Sequence, residues 1–224
     1  MIGGKILFNK LKSMVLGLPK TIYINFKCLP IKQAIKLPIF LSNKVILKST
    51  KGKIIINGNV STKMITIGFG NVEIFDRNKS RSILNNNGII EFNGKASIGH
   101  GSKISVDGHL SFGNEFIISS ESSIVCKKRI SFGERCIMSW DVLIMDSDLH
   151  KIYCEGNRVN IEKDVIIGND VWIGCRCTLL KGTRLLDNVV VGANTFLNNK
   201  IAEKNCIVGG NPVKILKRNI YWKK

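Results

Sequence analysis

Residues 161–197 read IEKDVIIGNDVWIGCRCTLLKGTRLLDNVVVGANTFL, and a large aliphatic residue recurs there at every sixth position. The members of this register are Ile161, Ile167, Ile173, Leu179, Leu185, Val191 and Leu197. Four positions after each of the first six come Val165, Val171, Cys177, Thr183, Val189 and Thr195, which are all small or β-branched. This period fits neither an amphipathic helix, which repeats about every 3.6 residues, nor a half-buried strand, which alternates. It predicts a solenoid of short strands with a corner after each strand.

Glycines and a closing motif make the pattern more specific. Gly168, Gly174 and Gly192 each directly follow a register residue, and Gly210-Asn211-Pro212-Val213-Lys214 closes the repeats. Over about residues 85–217 the chain resembles the hexapeptide-repeat acyltransferases, in their branch of surface-polysaccharide and sugar O-acetyltransferases. The resemblance implies an all-β solenoid, a left-handed parallel β-helix of triangular section that is normally a homotrimer. The handedness rests on the resemblance alone, because parallel crossovers are ordinarily right-handed.

The chain is expected to have three parts. Residues 1–52 form a basic N-terminal cap of helix and strand, residues 53–212 the β-helix, and residues 213–224 a basic tail. The polar stretch at about residues 145–160 interrupts the register and is expected to be a catalytic loop, because loops on rigid scaffolds carry function. The polar, aperiodic residues 71–87 predict an earlier protruding loop.

The N-terminal part begins with an apolar stripe at helical spacing, formed by Leu7, Leu11, Met14 and Val15. Gly17 and Pro19 predict the end of this helix, and alternating apolar residues over 21–27 predict a strand. The helix has two compatible interpretations. It covers the open strand edge at the end of the solenoid, or it lies on a membrane with its lysines at the lipid headgroups.

The net charge of +18 is concentrated near both termini. Residues 1–72 contain twelve lysines and no acidic residue, and residues 213–224 contain five basic residues and no acidic one. This distribution indicates an anionic partner, such as phosphates, nucleic acid or an anionic lipid surface. Nucleic acid is not expected, because the sequence shows no nucleic-acid motif and no interleaving of aromatic with basic residues.

The expected location is cytoplasmic, extending to the inner face of the cell membrane if the N-terminal lysines bind lipid. The sequence has no apolar run long enough to span a bilayer and no signal-peptide core. Its seven cysteines are odd in number and lack framework spacing, so they are expected to be reduced. No metal is expected at Cys175-x-Cys177, because Cys177 falls on an inward position of the repeat.

His150 is the predicted catalytic residue. In the resembling family the catalytic histidine stands in a loop before the last complete coils, often as Asp-x-Asp-x-His, and residues 146–150 (DSDLH) are similar. A sugar hydroxyl is a poor nucleophile, and an imidazole can take its proton as it attacks a thioester. A carboxylate on the other ring nitrogen would stabilise the imidazolium, and both Asp148 and Asp146 are candidates.

Acetyl-coenzyme A is the acyl donor that the resemblance implies, bound along the last coils in a cleft between subunits. Matching motif to motif places Gly174 and Cys175 beside the thioester, Ala193 and Asn198 along the pantetheine arm, and Lys214 and Lys217 at the phosphates. Cations suit those phosphates. The sequence departs from the family pattern at Cys175 and near Asn198, so these two contacts are open. A solvated basic tail is the alternative for the two lysines.

The function implied is transfer of an acetyl group from acetyl-coenzyme A to a sugar hydroxyl in capsule or O-antigen-type polysaccharide assembly. Two alternatives stay open: a non-catalytic basic β-helix that binds an anionic polymer or lipid surface, and an acetyltransferase for a small non-sugar acceptor. His100 and His109 adjoin glycines and are expected to be exposed turn residues. Trp140 is expected to pack in the core or an interface rather than to stack on a sugar.

Overall fold

The computed structural model describes residues 2–70 and 72–223, with side chains described from residue 11 onward. Two helices come first, α1 (Ile2–Cys28) and α2 (Ile31–Ala34). The strands that follow are β1 (Ile39–Leu41), β2 (Val45–Thr50), β3 (Lys53–Ile56), β4 (Ile65–Ile67), β5 (Ser82–Asn86), β6 (Ile89–Phe92), β7 (Ala96–Ile98), β8 (Lys103–Val106), β9 (His109–Phe112), β10 (Phe116–Ser120), β11 (Ser123–Cys126), β12 (Arg129–Phe132), β13 (Ile137–Trp140), β14 (Leu143–Met145), β15 (Tyr153–Cys154), β16 (Asn157–Arg158), β17 (Val165–Ile167), β18 (Trp172–Ile173), β19 (Thr178–Leu179), β20 (Arg184–Leu185), β21 (Val189–Val191), β22 (Phe196–Leu197), β23 (Lys200–Ile201), β24 (Cys206–Gly209) and β25 (Lys214–Arg218).

The strands form the three faces of a prism. Face A has the order β1-β4-β7-β10-β13-β18-β21-β24-β25, face B the order β2-β5-β8-β11-β14-β19-β22, and face C the order β3-β6-β9-β12-β17-β20-β23. Successive strands along a face are parallel and come from successive coils, as in the register of Ile118 with Ile98 and Met138. One pair on these faces, β24 with β25, is antiparallel. The predicted all-β solenoid is confirmed.

The six-residue register forms the core of the last coils. From Ile167 to Leu197 every member of the register is buried, and so are all six members of the second register. Ile161 is the exception, because it is exposed and precedes the first strand after the loop, β17. The earlier coils also contain a column of phenylalanine rings at the end of face C. Phe112 stacks between Phe92 and Phe132, with ring centroids 5.2 and 5.6 Å apart, a geometry that adds to the stabilisation from burial.

The N-terminal helix is longer than predicted. Helix α1 continues through Gly17 and Pro19 to Cys28, so residues 21–27 are helical and the predicted strand is wrong. A glycine at position 17 lets the helix pack closely against the first coil, because a Cβ there would lie 2.1 Å from the carbonyl oxygen of Leu41. This packing stabilises the helix beyond the point where the local sequence predicts its end. Ile24 is buried against the coil, whereas Ile22 and Phe26 are exposed. Of the predicted stripe, the side chain of Leu7 lies outside the described residues.

Helix α1 covers the outer edge of β1. The backbone N–H of Leu41 donates to Oγ1 of Thr21 at 3.0 Å, and that of Ile39 donates to Oδ1 of Asn25 at 3.1 Å. The amide of Asn43 donates to the carbonyl of Ser13 at 3.2 Å. Acceptor groups on the helix thus form hydrogen bonds with backbone N–H groups of the first coil. A further strand would otherwise bond to these N–H groups.

The boundaries also differ from expectation. The first coil begins at Ile39, and not at residue 53, because β1 and β2 already pair with later strands. The predicted loop at 71–87 is shorter: residue 71 lies outside the described residues, residues 72–81 form turns, and residues 82–86 are β5. The segment after residue 212 is not a free tail, because β25 pairs with β24.

Candidate active site

The catalytic-loop candidate leaves the prism at the corner between faces B and C. Residues 146–164 connect β14 of face B to β17 of face C. At its tip β15 and β16 form a small antiparallel hairpin, in which Tyr153 pairs with Arg158 and Cys154 with Asn157. The neighbouring corners of the same edge are tight turns, so this loop stands out from the coil.

Asp146 anchors the base of the loop. Its side chain is fully buried, and its two carboxylate oxygens accept from the backbone amides of Lys127 at 2.7 Å and Lys128 at 2.8 Å. Burial, and then the nearby Asp146 carboxylate, raise the pKa of the Cys126 thiol to about 12. Both oxygens therefore face the preceding coil, and the geometry favours a structural role for this residue.

Asp148 is held at the surface by two side chains from other parts of the chain. Its Oδ2 accepts from Nζ of Lys181 at 2.5 Å and from Nδ2 of Asn160 at 3.0 Å. The hydrogen bond from Lys181 keeps the pKa of Asp148 below its ordinary value, so this carboxylate is ionised at neutral pH. Lys181 lies at the corner between faces B and C one coil further on, after β19.

The backbone of His150 is fixed, whereas its imidazole is exposed. Nδ2 of Asn160 donates to the His150 carbonyl at 2.6 Å, and Oδ1 of Asn160 accepts from the Ile152 amide at 2.7 Å. The His150 amide donates to the carbonyl of Asp148 at 2.7 Å. The ring is thus presented to solvent from a braced loop.

Asn160 and Lys181 are site residues that the sequence did not identify. Asn160 is buried although it ends a polar stretch, and it contacts the loop at three points. Lys181 occupies a corner of the clean repeat, where a lysine is expected to be solvated. Only the position of Lys181 in the repeat could have indicated its role. The corners of successive coils stack directly above one another, so its corner lies next to the loop.

The other two histidines are not exposed turn residues. His100 is completely buried, with its Nε2 3.1 Å from Oγ of Ser80. Burial, above all, lowers the pKa of His100. The loop of residues 72–81, which contains Ser80, covers this corner, so the prediction of an exposed turn was wrong. His109 is half-buried on face C, with its Nε2 2.8 Å from Oε2 of Glu91 on the adjacent strand.

The residues proposed to bind the acyl donor occupy two different corners and the strand β25. Gly174, Cys175 and Ala193 lie at the corner between faces A and B in consecutive coils, after β18 and β21. Asn198 lies at the corner between faces B and C, after β22, on the same edge of the prism as His150. Lys214 and Lys217 are exposed on β25.

Successive coils approach each other closely at the corner between faces A and B. A Cβ on Gly174 would lie 2.7 Å from the carbonyl oxygen of Val191, so this position excludes a side chain. Cys175 beside it is partly exposed, whereas Cys177 is buried in the core. Within residues 2–70 and 72–223 no cluster of three histidine, cysteine or acidic side chains is placed to hold a metal ion.

Comparison with known proteins identifies the repeat. Residues 164–199 match the family model described as bacterial transferase hexapeptide (six repeats). A polysialic acid O-acetyltransferase of Neisseria meningitidis is 34% identical over 106 residues, which are 46% of this chain and 49% of that protein. The chain thus spans about half the length of this curated relative. An uncharacterized 24.8 kDa protein in the cps region of Klebsiella pneumoniae is 28% identical over 198 residues, covering 88% of this chain and 86% of that protein.

A solved structure supports the fold over most of the chain. The crystal structure of the polySia specific acetyltransferase NeuO superimposes with a TM-score of 0.52 at 25% sequence identity, covering 82% of this chain and 74% of that one. The β-helix is left-handed, as the family resemblance implied.

Proposed function

We propose that this chain, which carries the hexapeptide repeat of the bacterial transferases, is an O-acetyltransferase that moves an acetyl group from acetyl-coenzyme A to a sugar hydroxyl in capsule or O-antigen-type polysaccharide assembly. The observation that carries the proposal is the exposed imidazole of His150 on a loop fixed by Asn160 and Lys181. The acetyltransferase names of the relatives support the same chemistry.

The proposed reaction is a direct transfer with His150 as general base. The imidazole takes the proton of the sugar hydroxyl while the hydroxyl oxygen attacks the thioester carbonyl. The tetrahedral oxyanion then collapses: the new ester C–O bond remains, the C–S bond breaks, and the imidazolium returns the proton to the leaving sulfur. No enzyme-linked acetyl group is formed.

Asp148, rather than Asp146, is the acidic residue proposed to support His150. Both oxygens of Asp146 accept from backbone amides of the preceding coil, so they are already used. Asp148 acts through Asn160, which bonds both its carboxylate and the His150 carbonyl. Through this link, Asp148 would help to hold the His150 backbone in place while the imidazole takes the proton.

The proposed donor site needs a second copy of the chain. His150 and Asn198 lie on one edge of the prism, whereas Gly174, Cys175 and Ala193 lie on another. One chain cannot bring two edges of its own prism together, but the edge of one subunit can face the other edge of its neighbour. We therefore propose a homotrimer with one active site in each cleft. The amides of the pantetheine arm would bind backbone groups at the glycine-lined corner, and Lys214 and Lys217 would meet the phosphates.

We place the enzyme on the cytoplasmic side, with its basic N-terminal part at the inner face of the cell membrane. Among the described residues, no helix is both long and apolar enough to cross a bilayer. The twelve lysines and absent acids of residues 1–72 suit a peripheral contact with anionic lipid.

The experiment that tests the function is an acetyl-transfer assay against a panel of acceptors. The purified protein is incubated with acetyl-coenzyme A and capsular or O-antigen oligosaccharides, and both thiol release and ester formation are measured. Acetylated sugar supports the proposal. Transfer to amino acids or drug-like amines and alcohols alone would favour the small-acceptor alternative. No turnover, combined with heparin binding that persists at high salt, would favour the non-catalytic alternative.

A further inference from the structure

Helix α1 presents an apolar row on the side that does not contact the coil. Its buried face consists of small and polar residues together with Ile24, namely Ser13, Gly17, Thr21, Ile24 and Asn25. The outward row consists of Leu11, Val15, Leu18, Ile22 and Phe26, whose spacing keeps them on one side of the helix. These five side chains are between 36% and 58% exposed. The more apolar side of this helix therefore faces away from the protein.

Two further exposed apolar side chains follow α1 in the sequence. Ile31 at the start of α2 and Ile35 just after it are 63% and 65% exposed. Soluble monomers rarely expose a contiguous apolar surface of this kind unless it binds a partner or a membrane. We call the outward row with Ile31 and Ile35 the end surface.

Positive charge borders the end surface. A cavity of about 440 Å³ opens beside α1, lined by Lys12, Ser13, Leu16, Asn43, Lys44, Arg77 and Asn78. Its three cationic residues come from three different segments, and none of its lining residues is acidic. Lys27, Lys32 and Lys36 are exposed around the apolar residues. An apolar face with a cationic border is the pattern of a helix that lies in a bilayer interface.

We infer that the end surface docks on an anionic lipid bilayer and that the β-helix stands upright on it. Because α1 accepts hydrogen bonds from the outer edge of β1, it lies across the end of the solenoid and not along its side. The outward row therefore faces away from the coils. The phosphates of the lipid headgroups would meet Lys12, Lys44 and Arg77.

This orientation sets the distance of the proposed active site from the membrane. The order β2-β5-β8-β11-β14 places four steps between the first coil and the strand from which the His150 loop leaves. At about 4.8 Å per step this amounts to roughly 19 Å, and the helix adds about 10 Å. The imidazole would thus act well above the headgroups. If the proposed function holds, the acceptor is a long glycan chain that extends from its lipid anchor, and not a single sugar attached to the lipid.

Docking is tested without reference to activity. The full chain is sedimented with vesicles of phosphatidylcholine alone or mixed equally with phosphatidylglycerol. We expect binding to the mixed vesicles, weakening as salt shortens the Debye length. The variant Val15→Ser/Ile22→Ser/Phe26→Ser should lose at least about tenfold in partitioning, because these side chains insert into the interface. The control Ile161→Ser/Leu216→Ser/Tyr221→Ser removes three exposed apolar side chains from the later part of the chain and should bind like the parent.

Charge is tested by a second matched pair. Lys12→Glu, at the cavity, should weaken binding to mixed vesicles, and Lys200→Glu, at an exposed position near the other end, should not. Far-UV circular dichroism checks that the variants fold. Equal binding by the parent and the triple serine variant would overturn the inference. So would a parent that ignores vesicles while the serine variant forms a smaller oligomer in light scattering, since the end surface would then lie between copies of this chain.

The distance of the proposed active site from the membrane is tested on bilayers that carry either a single lipid-linked sugar or a long lipid-linked glycan. We expect acetylation of the long glycan only, while the same two sugars free of lipid are both acetylated. Equal acetylation of both lipid-linked acceptors would overturn the upright orientation. Failure with every acceptor, with vesicle binding intact, would remove the proposed function and leave the docking surface standing.

Discussion

Nζ of Lys181 lies 2.5 Å from Oδ2 of Asp148, although 33 residues separate them in the sequence. The lysine belongs to a tight corner of the repeat, and the aspartate belongs to the loop that leaves the preceding coil. The contact fastens a protruding loop to the rigid part of the molecule, at the side where His150 is exposed.

Lys181→Met should loosen this loop without unfolding the β-helix. Asp148 would lose its cationic partner, and its pKa would rise toward the ordinary value. The hold on the loop is present above the unfolded pKa of Asp148 and is lost as the pH falls through the folded pKa, which is the lower of the two. Residues 147–160 should therefore exchange more slowly in the parent than in the variant at neutral pH, and this difference should disappear as the pH falls through the folded pKa of Asp148. Identical profiles would show that the ion pair does not hold the loop.

His150→Ala should lower kcat by about 10²- to 10⁴-fold, the usual contribution of a general base, with an unchanged melting temperature. His109→Ala is the matched control, because His109 is also partly exposed but pairs with Glu91 on a face of the prism. Steady-state kinetics with acetyl-coenzyme A and a sugar acceptor measures both. Similar losses in the two variants would mean that the base lies elsewhere.

Asp146→Asn should affect stability more than catalysis. The amide can accept from one of the two backbone N–H groups of Lys127 and Lys128, but its NH₂ faces the other, at a cost of about 1–3 kcal/mol. Asp148→Asn should show the reverse pattern, with reduced kcat and little thermal change, because its carboxylate is at the surface. Thermal unfolding and kcat, measured for both variants, separate the two roles. A larger loss of kcat in Asp146→Asn at unchanged stability would contradict this assignment.

Lys214→Ala/Lys217→Ala should raise KM for acetyl-coenzyme A more than it lowers kcat. Both residues are exposed on β25 and proposed to contact phosphates far from the reacting carbonyl, so they contribute mainly uniform binding. A donor without its 3′-phosphate should be used about equally by variant and parent. If the variant remains just as sensitive to that phosphate, the two lysines are solvated and do not bind the donor.

The buried His100 should make stability fall in mild acid. Its folded pKa lies below the unfolded value, which is about 6.5. Above the unfolded pKa both states are neutral, and as the pH drops below it the unfolded chain binds the proton first, so stability declines until the folded pKa is reached. The melting temperature should therefore decrease from pH 7 to pH 5, and His100→Gln should flatten this dependence. An equally steep decrease in the variant would assign the effect to another group.

The fold could be predicted because it follows from a local rule repeated along the chain. Each aliphatic residue from Ile167 to Leu197 is buried for the same reason, so the pattern alone identifies the coil. Helix α1 followed a different rule: Gly17 and Pro19 look like stop signals, but the close approach of the helix to Leu41 requires a glycine. The continuation of the helix depends on a residue that is distant in the sequence, so the residues around Gly17 and Pro19 do not predict it.

The candidate site shows the same division. The loop could be predicted from the break in the register, and His150 was proposed from the family resemblance of residues 146–150. The roles of Asp146 and Asp148 could not be separated, since the two are only two residues apart. Their difference arises from the neighbours that each meets, the amides of Lys127 and Lys128 in one case and Lys181 in the other. The burial of His100 likewise depends on the loop that contains Ser80.

The covering of both ends of face A has a consequence for assembly. A solenoid with bare terminal strands could add further copies end to end and grow into filaments. Here the polar groups of α1 occupy the outer edge of β1, and β25 occupies that of β24. The outermost strand of face A is then β25, whose Lys214 and Lys217 carry like charges that repel a second copy. Face A is thus closed to a further strand at both of its ends, although each of its coils could in principle serve as a template for the next.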